Sequence, residues 1–540
     1  MDLSHLTRQY FSGATFIVLM FLSAGCKESK STSPEATLAF SRIIPKPTSA
    51  NATGKTFVIT KNTTIVADTS SAELNNVANY LAENLKTVTG LSLQIASKTG
   101  DGSILLALQD GPSSLGDEGY ELQIDENQIR IIGQKPAGIF YGIQTLRQII
   151  ADKNDKVSRD EWEIATGTIA DSPEYAWRGS MLDVARHFFA VEDVKRYIDL
   201  LSYYKINILH LHLSDDQGWR IEIKSWPNLT AIGGQSQVGG GKGGFYTQEQ
   251  YKDIVAYAQR RFITIVPEID LPGHTNAALV SYPEELLPGM PIKIEAGEKP
   301  RPVAGKPHVG TEVGFSTLSL KKESTFKFVN DVIREIAAIT PGPYFHVGGD
   351  EAAVTKKSDY IAFVNRFKEI VNANGKIMIG WEETAQANLD STTIIQFWHS
   401  RDYAKMAADK GARIIFSPSK KVYLDMQYDS LSRIGLHWAA YIEVDSSYRW
   451  DPAQLVPGIE REHILGVEAP LWTETVVTMD DIEYLMFPRL PGIAEVAWTP
   501  FSSRDWDEYK VRVANHAKIW KGMGIDFYRS KQIQWADEAK

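Results

Sequence analysis

Cysteine is nearly missing from this chain. Cys26 is the only one among 540 residues, so no intrachain disulfide can form. Blocks of like charge are missing too. The 57 basic and 67 acidic residues, net charge −10, are spread along the chain, which argues against the basic stripe of a nucleic-acid binder. The N-terminal apolar run, "GATFIVLMFLSAGC" from Gly13 to Cys26, is shorter than the roughly 20 residues a helix needs to cross a bilayer. What is present is globular: 43% hydrophobic and 23% charged residues, long enough for more than one domain or for a large barrel with an added domain. Trp and Tyr are plentiful, 13 and 22. Such rings usually fill cores, and they also stack on sugar faces.

The first residues read as a targeting segment. Arg8 precedes the apolar run, as in a signal peptide. The run ends in "SAGC", Ser23 to Cys26, which resembles a bacterial lipobox, although Ser23 stands where Leu is usual. Residues 1–26 are therefore expected to be a signal peptide ending at a lipidated Cys26. The resulting location is the bacterial cell envelope, with a lipid anchor to the membrane; simple secretion is the alternative. The Ser-, Thr- and Lys-rich residues 27–41 are expected to be a flexible tether.

Two rhythms follow. Residues 42–172 mix strands and helices: β-branched "TFVITKNTTIVAD" (Thr56–Asp68), a helical pattern closed by glycine (Ser71–Gly90), a hairpin (Tyr120–Gly133) and a second helix (Ala137–Ile150). This predicts a small α+β support domain. Residues 173–540 carry eight short apolar runs: 178–185, 207–214, 262–270, 344–351, 376–383, 393–399, 412–418 and 464–472. Helical patterns separate most of them, for example 191–205 and 247–261. Eight such units predict a (β/α)8 TIM barrel. The stretches 271–322 and 419–460 would be long loops.

Barrel chemistry sits at the C-terminal ends of the strands. Those ends carry Asp183 and Arg186, Asp215 and Asp216, Asp270 and His274, Asp350 and Glu351, Trp381 to Glu383, Trp398 and His399, Tyr423 and Asp425, and Trp472 and Glu474. An Asp after a strand is often only a helix cap. Capping does not explain three Trp at strand ends. Apolar rings beside acids suit a sugar, whose C–H face stacks while its hydroxyls bond carboxylates. One feature resists this reading. "HVGGDE", His346–Glu351, ends in adjacent acids, whereas glycoside hydrolysis usually needs two carboxylates facing each other about 5–9.5 Å apart.

"LDVARHFF" (Leu182–Phe189), "HLSDDQGWR" (His212–Arg220), "PEIDLPGHT" (Pro267–Thr275), "HVGGDE" and "LWTE" (Leu471–Glu474) together resemble the β-N-acetylhexosaminidases of glycoside hydrolase family 20. The resemblance extends to the preceding α+β domain. It implies a retaining, exo-acting hydrolase that removes terminal β-linked GlcNAc or GalNAc from glycans or chitooligosaccharides, without cofactor or metal. It implies substrate assistance, in which the sugar's own 2-acetamido oxygen attacks C1 and an oxazolinium-like intermediate forms. Glu351 would then be the acid/base, and Asp350 would orient the acetamido group. Asp215 and His274 would form a polar chain to Glu351. Tyr423 would align the acetamido oxygen. Arg186 and Glu474 would grip the ring hydroxyls and Asp425 the 6-hydroxyl, while Trp381, Trp398 and Trp472 would wall the pocket. Within the family a lacto-N-biosidase-like specificity stays open. Outside it stand two alternatives: a metal-dependent amidohydrolase barrel, suggested by His210-x-His212, and a non-catalytic glycan-binding lipoprotein. Glu382 and Glu383 are expected to be helix-start or solvent residues, and the glycines of "HVGGDE" to keep the strand end slim for the approaching sugar.

Overall fold

The computed structural model describes residues 34–98, 100–111, 113–151, 161–286 and 306–537. The signal-peptide and lipidation expectations, Cys26 included, lie outside them. Among the described residues no helix is long and apolar enough to cross a membrane.

The N-terminal domain is one seven-stranded sheet. Its strands are β1 (Ser49–Thr60), β2 (Thr64–Val66), β3 (Gln94–Ala96), β4 (Ser103–Leu108), β5 (Tyr120–Ile124), β6 (Gln128–Gly133) and β7 (Glu161–Asp171), in the order β1-β7-β5-β6-β4-β2-β3. The hairpin read from the sequence is β5–β6, paired from Tyr120–Gly133 to Ile124–Ile129. The two expected helices are Ala72–Thr89 and Pro136–Ala151. Ser71 caps the first by accepting from Leu74 N, and Gly90 ends it at φ 77°, a conformation glycine adopts without strain. The tether expectation is corrected at its end. Pro34–Ser41 is helical, and Ala39 and Phe40 are buried in this domain's core, because an apolar turn beside an apolar sheet gains more by packing than by solvation.

All eight apolar runs of the second region are barrel strands. They are β8 (Trp177–Asp183), β9 (Ile208–His212), β10 (Thr264–Glu268), β11 (Tyr344–His346), β12 (Ile377–Trp381), β13 (Ile394–Phe397), β14 (Arg413–Phe416) and β15 (Ile464–Leu471). Each pairs in parallel with the next, and β15 closes on β8. Strands buried on both faces read as continuous apolar runs, which is why the sequence shows them. The helical spacer is absent once: between β12 and β13 there is only the 3-10 turn Glu382–Gln386.

Alternation along the strands layers the barrel interior. Trp177, Ile208, Val266, Ile379, Ile394 and Ile415 form an apolar plug. Two residues further along the same strands come His210, Glu268, Trp381 and Gln396, with Glu468 and His346 beside them. Above this polar tier lie the strand ends and the cavity. The domains are locked by buried ion pairs. Arg178 Nη2 meets Glu118 at 2.7 Å, and Lys205 Nζ meets Asp171 at 3.0 Å. The Trp498 ring from the barrel sits in the N-terminal domain's core.

Candidate active site

The "HVGGDE" segment is not strand to its end. β11 stops at His346, and the chain turns through Gly348 (φ 66°), Gly349 (φ 101°) and Glu351 (φ 46°). Left-handed backbone at Glu351 is strained by about 1–3 kcal/mol. The turn is held by Gly349 N donating to Asp270 Oδ1 (2.9 Å), Trp381 N donating to Gly348 O (2.9 Å) and Tyr360 Oη donating to Gly349 O (2.6 Å). The glycines are required for packing, which corrects the expectation that they make room for sugar. A Cβ at Gly348 would stand 1.8 Å from Asp270 Oδ1, and one at Gly349 would stand 2.6 Å from Thr384 Cγ2.

The turn separates the two acids. The Asp350 side chain is 12% exposed and that of Glu351 36%, so one carboxylate is buried and its neighbour is open to the cavity. Both face one imidazole. His274 Nε2 lies 3.5 Å from Asp350 Oδ2 and 3.3 Å from Glu351 Oε2, while its Nδ1 lies 3.2 Å from Asp215 Oδ1. The expected Asp215–His274–Glu351 chain is therefore present. Burial disfavours the imidazolium, but Asp215, Asp270 and Asp350 outweigh it and hold His274 well above the usual histidine range. Asp215 is pushed up by burial and pulled further down by Arg186 and His274 and by the His212 hydrogen bond, leaving it well below the usual carboxylate range. Burial also raises Asp350, and the charge and hydrogen bond of His274 overcome it, leaving the group lowered. Asp270 goes the other way. Burial, then the charge of Asp350, raises it well above the ordinary value.

Eight of the eleven expected site residues wall a cavity of about 310 Å³: Arg186, Asp350, Glu351, Trp381, Trp398, Tyr423, Trp472 and Glu474. Asp215 and His274 stand behind Arg186 and Glu351. Asp425 is also behind the wall, 1% exposed, with Trp472 N 3.5 Å from its Oδ1. Arg186 is clamped by Asp183 (3.3 Å) and Asp215 (2.9 Å), and its guanidinium carbon is 4.7 Å from the Trp472 ring centroid. Buried polar atoms here without a hydrogen-bond partner include Arg186 Nε, Asp270 Oδ2, His274 Nε2, Asp350 Oδ1, Asp425 Oδ2 and Glu474 Oε2. Buried polar atoms are normally satisfied, so a cluster of unmet ones marks where a polyhydroxylated ligand would bond.

Beneath the cavity Glu268 gathers donors. It meets His210 Nε2 at 2.9 Å, His212 Nδ1 at 2.6 Å and His346 Nδ1 at 2.9 Å, and it accepts from Trp381 Nε1 at 3.0 Å. Burial raises Glu268, and the three imidazoles outweigh this and hold it well below the usual range. His210 and His212 thus direct ring nitrogens at carboxylates, His210 reaching Glu468 (2.8 Å) and His212 reaching Asp215 (2.9 Å). His210, Glu268 and His346 lie close enough to hold an ion together. Glu268 is already shared among the three rings and Trp381 closes the fourth side, so the set suits an ion-pair network better than an open metal site.

Sequence reasoning missed part of the wall. Trp438, 57% exposed, lines the cavity with Thr311, Val313 and Leu436. It sits edge-on to Trp398 and Tyr423, each 6.0 Å away. Its only sequence signal is a tryptophan inside a long loop. Glu382 and Glu383 do start a helical turn, as expected, but Glu382 is fully buried, so the solvent half of that expectation is corrected.

The two domains each match a family model: "Glycosyl hydrolase family 20, catalytic domain" over residues 175–501, and "Glycosyl hydrolase family 20, domain 2" over residues 41–172. The chain belongs to glycoside hydrolase family 20. Among its relatives, a beta-N-acetylhexosaminidase of Cellulomonas fimi is 39% identical over 91% of this chain and 97% of its own. The structure of a beta-N-acetylhexosaminidase of this family from Streptomyces coelicolor A3(2) superposes with TM-score 0.85 at 47% identity, covering 92% of this chain and 99% of its own. A mutant Streptomyces plicatus beta-hexosaminidase, described in complex with product (GlcNAc), matches with TM-score 0.85 and 47% identity over 92% of this chain and 98% of its own. The family 20 barrel and its α+β companion are thus both present.

Proposed function

We propose that this chain is a retaining exo-β-N-acetylhexosaminidase working by substrate assistance. The observation that carries the proposal is the divergence of Asp350 and Glu351 from one imidazolium. The Glu351 side chain is 36% exposed to the cavity, and that of Asp350 is 12% exposed beside the same His274. Two acids in such unequal settings suit two unequal tasks. Glu351 protonates the leaving oxygen and then takes a proton from water. Asp350 accepts the acetamido N–H and offsets the positive charge that develops as the carbonyl oxygen attacks C1. The nucleophile comes from the substrate, so no second facing carboxylate is needed, and intramolecular attack carries a large effective concentration.

Tyr423 donates to the acetamido oxygen. Burial, then the charge of Asp425, pushes its phenol well above the usual range, so it remains a donor. Arg186 and Glu474 hold ring hydroxyls, Asp425 holds the 6-hydroxyl, and Trp381, Trp398 and Trp472 enclose the ring and acetamido group. The substrates are terminal β-linked GlcNAc or GalNAc residues of glycans or chitooligosaccharides. The cavity is at the small end of ligand pockets, which favours one terminal sugar over the disaccharide of a lacto-N-biosidase. Supporting an enzyme over a silent binder is the complete set of acid, orienting carboxylate and shared imidazole.

The test compares aryl β-glycosides of GlcNAc, GalNAc, lacto-N-biose and plain glucose. Hydrolysis of the N-acetylated monosaccharides, abolished in Glu351→Gln, is expected. Equal rates on the substrate without an acetamido group would refute substrate assistance, and preference for the disaccharide would move the chain to the lacto-N-biosidase reading. We further propose lipid anchoring at Cys26 in the bacterial envelope, on the strength of Arg8, the apolar run and "SAGC". In a bacterial host, Cys26→Ser should move the enzyme from the membrane to the soluble fraction.

A further inference from the structure

Glu382 and Glu383 follow Trp381 at the one place where the barrel lacks its helical spacer. Glu382 is 0% exposed. Its carboxylate accepts from three consecutive backbone N–H groups of another strand end: Trp398 N (2.9 Å), His399 N (3.2 Å) and Ser400 N (2.6 Å). His399 Nδ1 adds a fourth contact at 2.6 Å. Glu383 reaches the same residue from its side chain, since Trp398 Nε1 lies 3.3 Å from Glu383 Oε2. Helix capping does not account for this. The helix that follows, Arg401–Asp409, has its own cap in Ser400, whose Oγ accepts from Tyr403 N. The N–H groups held by Glu382 belong to the segment that carries the Trp398 ring to the cavity wall.

We infer that Glu382, seconded by Glu383, is a positioning residue that fixes Trp398 in the cavity wall it shares with Trp381 and so sets how tightly the pocket closes on the substrate's N-acyl group. The inference rests on the function proposed above. Backbone and indole are both tied, so the ring has neither loop freedom nor rotamer freedom. Burial, then the charges of Asp350 and Glu382, pushes Glu383 well above the usual carboxylate range. It holds the indole by accepting its N–H at 3.3 Å. Because Trp381 and Glu382 are neighbours in the chain, one backbone step sets both the Trp381 ring and the anchor of Trp398.

The test is the ratio of kcat/KM for N-acetyl and N-propionyl aryl β-glucosaminides. This ratio is independent of the fraction of enzyme folded, so a merely structural defect leaves it unchanged. One extra methylene against a well-fixed wall should give the wild type a preference on the order of tenfold or more for N-acetyl. Glu382→Gln keeps the shape but halves the acceptors and turns a donor toward the N–H groups, and should reduce the preference to about threefold or less. In a Trp398→Phe background the same substitution should change the ratio no further, since coupled residues are non-additive. If Glu382→Gln gives no folded enzyme, Glu383→Gln carries the same test through the indole. An unchanged ratio in the glutamine variant, or full additivity with Trp398→Phe, would overturn the inference while leaving the function intact. A wild type that hydrolyses neither substrate would overturn the function itself.

Discussion

His274 serves three carboxylates with two nitrogens. Burial opposes its positive charge, which Asp270 and Asp350 sustain together with Asp215, first among the charges. Asp215→Asn removes that charge and brings the imidazolium down toward the range where it titrates. The alkaline limb of the kcat/KM profile should then move to lower pH, because His274 loses its proton sooner. A pH-rate series on both enzymes checks this. At this scale the sequence was informative: the charged and aromatic residues at strand ends include eight that meet at one cavity. What it could not show was the direction of each carboxylate. Adjacent acids suggested opposed faces of a strand, and the two glycines instead produced a left-handed turn whose hydrogen bonds come from Asp270, Tyr360 and Trp381, on three other segments of the chain.

The turn after β11 is the element on which the site depends. Gly348→Ala would place a methyl group on the Asp270 carboxyl and force φ 66° on alanine. We expect a loss of more than about 2 kcal/mol in stability, read by urea unfolding, together with loss of activity, because Asp350 and Glu351 ride on the same turn. The barrel strands were legible because burial on both faces leaves an apolar run whatever the loops do. The loop bearing Trp438 was illegible for the converse reason. It has no period, and its ring is set by packing on Trp398 and Tyr423, contacts the sequence does not contain. The tether expectation failed at Pro34–Ser41 because composition reports solubility over a window, whereas two buried residues, Ala39 and Phe40, suffice to dock one short helix.

Across the whole molecule the two domains share buried charge. Lys205 is fully buried and bonds Asp171 Oδ2 (3.0 Å) and Tyr120 Oη (2.9 Å). Removing one partner of a buried pair strands the other, at a cost of roughly 3–5 kcal/mol. Calorimetry of Lys205→Met should therefore show a clearly lower transition temperature. His516 gives the interface a pH response. Its Nδ1 accepts from Tyr204 and its Nε2 donates to the Arg42 carbonyl, both within 3.0 Å. Burial drives its pKa from 6.5 to about 4. The unfolded chain thus binds this proton more readily, so the stability it contributes is complete above about pH 6.5 and is lost as pH falls through 4. Stability measured against pH should fall less steeply over that range in His516→Asn than in the wild type.

In the proposed mechanism, the four residues from Gly348 to Glu351 turn the two protein carboxylates into a single lever. They share one short turn, whereas Arg186, Trp472 and Glu474 belong to the opposite side of the barrel, just after β8 and β15. Any shift of one side against the other moves proton donor and acetamido anchor together relative to the gripped ring. Misalignment in such an enzyme would appear as a common loss in both half-reactions, formation and hydrolysis of the intermediate, and drift at the domain interface would be felt as kinetics before it was felt as unfolding.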